Sequence, residues 1–355
     1  FECRITAIKM IIELFSSIHL WTALAVLSSI YWAYSRPNSN FPIIDAHREY
    51  ITNAAKLISE GLSKYQRSFV LARPHANKIV LPLSHASWVK SNRDLCHREL
   101  VRQDFFADYP GFEGITALHS KGDMLLDFIK TKGQNNSIMS IVNASLADTL
   151  SIHGTENTWH AIDWQKDTTA IIACAASSVF VDPDLARDTE WLTIIQAYVR
   201  TCFTAIGELG GYPSWSWHVV QSLLSNAKAC RQYRARVCAI MQKEMSRRAD
   251  EAKKAEIEGK LAPQYNDAIA WTNGSAEMEA GDIQLSLALS AMHTTSELFR
   301  QVLIDLASHP DIIEPLKSEI SQQISEHGLT VAATQGMVLV DSVMKESQRR
   351  AAPLG

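Results

Sequence analysis

Three hydrophobic rhythms divide the chain. From Leu14 to Ser35 there is no Asp, Glu, Lys or Arg, and "LWTALAVLSSIYWAY" (20–34) is almost wholly apolar. As a helix, these 22 residues would span roughly 33 Å, near the hydrocarbon thickness of a bilayer. Tyr31, Trp32, Tyr34 and Arg36 gather at one end as interfacial anchors. The pattern predicts a membrane-spanning helix over 1–36. A cleaved signal peptide and a buried core helix are the rival readings. Pro37 and Pro42 break the helix and open a second region, 37–355. There "SFVLARPHANKIVLPL" (68–83) alternates as two short strands around a Pro-His-Ala-Asn turn, and Ser84 is placed to cap the next helix.

Beyond "YPGFEG" (109–114) the period is helical, punctuated by Pro183, Gly210–Gly211–Tyr212–Pro213 and Pro263. The segment 228–260 reads as one long charged helix with a solvated face. A further helix is predicted from Asp282 to Ser308, ended by Pro310. Its apolar residues fall at 285, 289, 292, 299, 303 and 306, with Ser296 filling the gap in the stripe. In its middle, His293, Thr294, Thr295 and Ser296 stand together. Each threonine hydroxyl could simply bond to a carbonyl one turn earlier; the other reading is chemistry at that point. The fold class expected is mainly α with a small β region.

Composition narrows the functions. With 355 residues, 46% apolar and 20% charged, the chain can bury a sizeable core. A net charge of −4 with no basic block argues against nucleic acid as partner. Cys3, Cys96, Cys174, Cys202, Cys230 and Cys238 are scattered without Cys-x-x-Cys spacing, which predicts reduced, mostly buried thiols and no structural zinc. Three Asn-x-Ser sequons, at Asn135, Asn143 and Asn273, carry no weight if this part faces the cytosol.

The stretch "ALSAMHTTSELFRQVLIDLASHPDIIEPLKSEI" resembles the central I helix of cytochrome P-450 monooxygenases, in a fungal branch that contains the ent-kaurene oxidases. Ala291 takes the place of the small residue over the haem, His293 that of the acid, and Thr294 that of the oxygen-activating threonine. Glu346 and Arg349, in "LVDSVMKESQRRAAPLG", match the Glu-x-x-Arg tetrad of the K helix, and three-residue spacing lets them pair. The same tetrad at Glu99/Arg102, Glu244/Arg247 and Glu297/Arg300 reads as surface pairs. "SSVFVDPDLARDTEWL" and "YNDAIAW" are similar to the same branch.

The resemblance implies a cytochrome P-450 fold and a haem held by a cysteine thiolate. It also implies electrons from NADPH through a reductase, an apolar small-molecule substrate such as a terpenoid, and an endoplasmic reticulum anchor with the domain in the cytosol among membrane lipid. None of the six cysteines lies in the family's Phe-x-x-Gly-x-x-x-Cys-x-Gly ligand motif, so the chain is expected to stop after the K helix and to be incomplete at both ends. Where the family offers arginine to a haem propionate, this chain has only Lys130 and Lys132, which lack arginine's bidentate fork. His293, unlike an acid, can both donate and accept a proton when neutral; a plain bond to a facing backbone group is the other reading. Trp215 and Trp217 fall where the family meets the membrane, or are ordinary packing residues. The competing class is a haem-free, inactive, membrane-anchored helical protein.

Overall fold

A computed structural model describes residues 40–45, 49–72, 77–118, 136–152, 161, 163–272 and 278–350, with isolated helical positions at 21, 22, 25, 26 and 29. No helix among the described residues is long and apolar enough to cross a membrane. Most of 14–35 lies outside them. The chain divides into two compact units, residues 1–92 and 93–355.

In the first unit, β1 (Ile43–Asp45), β2 (Phe69–Ala72) and β3 (Lys78–Val80) form a sheet in that order, β1 parallel and β3 antiparallel to β2. The hairpin at 68–83 is therefore present, with Phe69 opposite Val80. Helix α1 (Tyr50–Tyr65) closes over Phe69 and Leu71, and Gln66 ends it in the left-handed conformation. Ser84 is not the predicted cap. It lies inside a 3-10 turn over Leu83–His85, its hydroxyl spent on the adjacent His85 Nδ1, and the following helix starts at Ala86 without a side-chain cap.

The second unit is helical. Its principal members are α2 (Glu113–Leu118), α3 (Asn136–Ile152), α4 (Lys166–Phe180), α5 (Thr189–Gly210), α6 (Trp217–Leu223) and α7 (Ser225–Ile257). They continue with α8 (Ala280–Ala288), α9 (Thr294–Ser308), α10 (Ile313–His327) and α11 (Val338–Arg350). Asp188 caps α5 by accepting from the Trp191 amide at 2.7 Å. The core joins α5, α7 and α8 through Trp191, Ile195, Tyr198, Leu209, Met241 and Leu285. Tyr198 is fully buried and donates its hydroxyl to the Gly111 carbonyl at 3.0 Å. That carbonyl belongs to a turn at φ +99°, where only glycine sits without strain and where a Cβ would press on Arg231.

Helix α7 departs from the simple solvated face expected of it. Ala227, Cys230, Val237 and Met241 are buried along one side, and two arginines point inward. Arg234 forks onto Asp282 of α8 at 2.7 and 2.8 Å, and Arg248 onto Asp267. The Asp282 carboxylate raises the Arg234 guanidinium further above its ordinary value, despite the opposing effect of burial. Charged letters in the sequence thus include interior fasteners. Gly281 permits the close approach of the two helices, because a Cβ there would lie 2.6 Å from the Cys238 Sγ.

Candidate active site

The helix predicted over 282–308 runs from Ala280 to Ser308, and it is not uniform. Between α8 and α9, Leu289–His293 winds as a π segment, placed at the polar quartet. Widened turns of this kind loosen the carbonyl ladder and recur at functional sites. Here hydroxyls take up the carbonyls: Ser290 donates to the Ser286 oxygen at 3.1 Å, and Thr294 donates to the Ser290 oxygen at 2.6 Å. The predicted apolar stripe is inward, with Leu285, Leu289 and Met292 buried.

The quartet splits. Ser296 is buried, 2% exposed, and its hydroxyl has no hydrogen-bond partner among the described residues. His293, Thr294 and Thr295 are exposed, and Ala291 is half-buried. The His293 ring lies on Phe203 of α5, centroids 4.4 Å apart and planes tilted by 36°. His293 is therefore held by an aromatic face, a partner that neither sequence reading anticipated. Phe203 is unremarkable in a one-dimensional pattern; only the crossing of α5 over the π segment brings it there.

Behind His293 opens a cleft of about 720 Å³ between α4, α5 and the central helix. Its deepest charge is Arg300, which corrects the surface reading of Glu297/Arg300. Arg300 pairs with Glu297 but is only 9% exposed, and it donates to the Thr168 and Thr169 hydroxyls, each at 3.2 Å. The signal was available: Arg300 follows Ser296 by four and Met292 by eight, on the buried stripe. Glu99/Arg102 and Glu346/Arg349 are paired and exposed, whereas Glu244, only 10% exposed, pairs with Arg247 and also with the inward Arg248. In α11, Arg349 forks onto Glu346 at 2.7 and 2.6 Å, with both side chains more than half exposed. That fork holds the Glu346 carboxyl below its ordinary value.

A second cavity, about 390 Å³, lies between α9 and α11 and is lined by Asp305, His309, Glu346, Ser347 and Arg350 among others. Arg350 reaches Asp305 at 3.5 Å, and the Asp305 carboxyl is lowered, chiefly by its bond with Ser347 and against some burial. Lys130 and Lys132 lie outside the described residues. Trp215 and Trp217 differ in kind: Trp215 is 70% exposed, whereas the Trp217 ring packs edge-on against Phe106 at 4.7 Å and its Nε1 donates to the Tyr212 carbonyl.

A haem needs an open distal surface and, in a thiolate enzyme, an ionised cysteine. Ala291, Thr294 and Thr295 fit the first: a small residue and two hydroxyl-bearing ones on an outward helix face. Among the described residues no cysteine is placed at either cavity to supply the second. Cys202 is raised well above the usual thiol range by its bond with Cys230 and by burial, and Cys238 is pushed up to about 12, mainly by burial. Cys174 is engaged with Ser145 at 3.3 Å, and no described cysteine lines either cavity. All five described cysteines are free thiols.

Comparison with known proteins places these features. The family described as Cytochrome P450 matches residues 119–355. Cytochrome P450 monooxygenase hepE of Aspergillus oryzae is 31% identical over 85% of this chain and 57% of its own length. Cytochrome P450 monooxygenase ptmU of Penicillium ochrochloron is 26% identical over 88% of this chain and 65% of its own. The chain spans about three fifths of the length of the curated relatives it matches. Among solved structures, "Retinoic acid bound cyanobacterial CYP120A1" superposes with a TM-score of 0.58 over 87% of this chain and 69% of that one, at 14% identity, a likeness of fold alone. The chain belongs to the cytochrome P450 family, alongside these fungal monooxygenases.

Proposed function

We propose that this chain supplies the distal wall of a haem-dependent monooxygenase that oxidises an apolar secondary metabolite, a terpenoid by preference. The observation that carries the reading is the outward Ala291–Thr294–Thr295 face on a π-distorted helix, within a family match covering 119–355. When bound, the haem supplies the activation of oxygen. The protein's own part is proton handling. Because Thr294 commits its hydroxyl proton to the Ser290 carbonyl, its lone pairs face outward as acceptors, suited to fixing a water over the reacting centre. His293, steadied by Phe203, can take up and release a proton at its ring nitrogens beside that water. Glu346 and Arg349, an exposed pair in this chain, would support the cofactor-binding core in the holoenzyme and do not touch substrate.

The same reading makes NADPH, through a reductase, the electron source. It puts the protein on the endoplasmic reticulum membrane, with 14–35 spanning the bilayer and the remaining domain in the cytosol. Trp215 in the 3-10 turn Ser214–Ser216, and Val219 and Leu223 on α6, are each more than 60% exposed and present apolar surface suited to lie against lipid.

The test is a reduced, carbon monoxide-treated difference spectrum. Residues 1–355 with excess haem should give no thiolate band, since no described cysteine lines either cavity. The same chain joined to a cysteine-ligand region from a fungal relative should give one. A thiolate band from residues 1–355 alone would show that an existing cysteine ligates iron and that the haem is misplaced here. No band from the joined protein, despite a folded chain, would favour the haem-free alternative. Alkaline carbonate tests the anchor: the whole chain should stay in the membrane pellet, and deletion through Arg36 should release it.

A further inference from the structure

The cleft behind His293 has features that the proposed reaction does not use. Three of its surfaces differ in chemistry. Its floor holds Met292 and Ser296, each 2% exposed, and the Ser296 hydroxyl has no partner among the described residues. A buried hydroxyl left unmatched costs about 1–3 kcal/mol, so a polar atom from outside the protein belongs there. The walls present Ala170, Ala197, Val199 and Phe203, with Thr169, Thr193 and Gln196 among them. The mouth carries charge from Asp163, Lys166, Arg200 and Glu297.

The two carboxylates and two cations at the mouth do not pair with one another among the described residues. Asp163 accepts from the backbone amides of Gln165 and Lys166 at 3.1 and 2.8 Å, capping the start of α4. Glu297 is taken by Arg300, itself tied to Thr168 and Thr169. Among the described residues no carboxylate pairs with Lys166 or Arg200, so two cations stand over the cleft.

We propose that this cleft binds an amphipathic carboxylic acid carrying a second oxygen at its far end. The carboxylate sits on the Arg200 guanidinium with Lys166 beside it, the hydrocarbon lies between Phe203 and Val199, and the distal hydroxyl or carbonyl meets Ser296. A volume of about 720 Å³ accommodates a molecule of drug size. Arginine is the residue suited to a carboxylate because its planar fork matches the two oxygens. The site stands on the cleft alone and does not depend on the haem reading.

Equilibrium dialysis of the full 355-residue chain against 10-hydroxydecanoate, decanoate and decan-1-ol tests it. One 10-hydroxydecanoate should bind per chain. Decanoate should bind more weakly, by several-fold, and decan-1-ol at least tenfold more weakly. Arg200→Gln, at an exposed position, should weaken 10-hydroxydecanoate about tenfold while leaving decan-1-ol unchanged. Ser296→Ala should erase the preference for 10-hydroxydecanoate over decanoate. Circular dichroism of each variant confirms that the helices persist. Equal binding of acid and alcohol, or an Arg200→Gln variant that binds as the parent does, would overturn the proposal and leave a cleft that holds only water.

Discussion

Glu297–Arg300 in α9 and Glu346–Arg349 in α11 share spacing, helix geometry and chemistry, yet they act differently. In α9 the arginine is buried and carries the Thr168 and Thr169 hydroxyls of a neighbouring helix besides its glutamate. In α11 both members are exposed and, among the described residues, hydrogen-bond with each other. Three-residue spacing guarantees that the side chains can meet. What the meeting is worth depends on the solvent excluded around it: an exposed pair gains little over its hydration, whereas a buried cation stripped of its partners has nothing to replace them.

The sharpest way to break the comparison is at the buried end. Arg300→Ala should destabilise the protein by about 2–3 kcal/mol, because it takes a donor from the Thr168 and Thr169 hydroxyls and empties a packed position. Urea denaturation followed by circular dichroism measures it; a loss no larger than that of an exposed pair would erase the distinction. Glu297→Gln should cost less, about 0.5 kcal/mol, since Glu297 is half exposed and Arg300 keeps its threonines. Arg349→Ala should leave the denaturation midpoint at neutral pH almost unmoved. Its effect should appear only as a pH dependence. Arg349 depresses the folded Glu346 carboxyl, so the pair's contribution is complete above the unfolded glutamate value, about 4.3, and is lost as pH falls through the lowered folded value. The difference between parent and Arg349→Ala should therefore narrow below about pH 4. A difference that grows on acidification would contradict the pairing.

The comparison also shows where one dimension of sequence suffices. The hairpin at 68–83, the helix over 282–308 and its inward stripe were legible because period and punctuation are local properties of the chain. So was the Glu346–Arg349 pair, a matter of helical spacing. The burial of Arg300 and the inward turn of Arg234 and Arg248 are harder to see, because a charged residue type favours solvent and only its helical face and a facing partner such as Asp282 or Asp267 turn it inward. The Phe203 partner of His293 and the cleft beside it arise from the crossing of helices some ninety positions apart, to which no local pattern points. Ser84 failed as a cap for a smaller reason: the preceding Pro82 starts a 3-10 turn that already includes it.

The central claim is that Thr294, fixed on the Ser290 carbonyl at a π turn, manages protons on the distal face of a haem monooxygenase. Its most direct test is the fraction of NADPH consumption that yields oxidised product in the reductase-supported holoenzyme, compared between the parent and Thr294→Ala, with Thr295→Ala as control. The account predicts that Thr294→Ala retains its haem spectrum but diverts most of its NADPH consumption to peroxide, while Thr295→Ala stays nearer the parent. Unchanged coupling in Thr294→Ala would contradict it, and would reduce the Thr294–Ser290 bond to a helix contact with no part in the reaction.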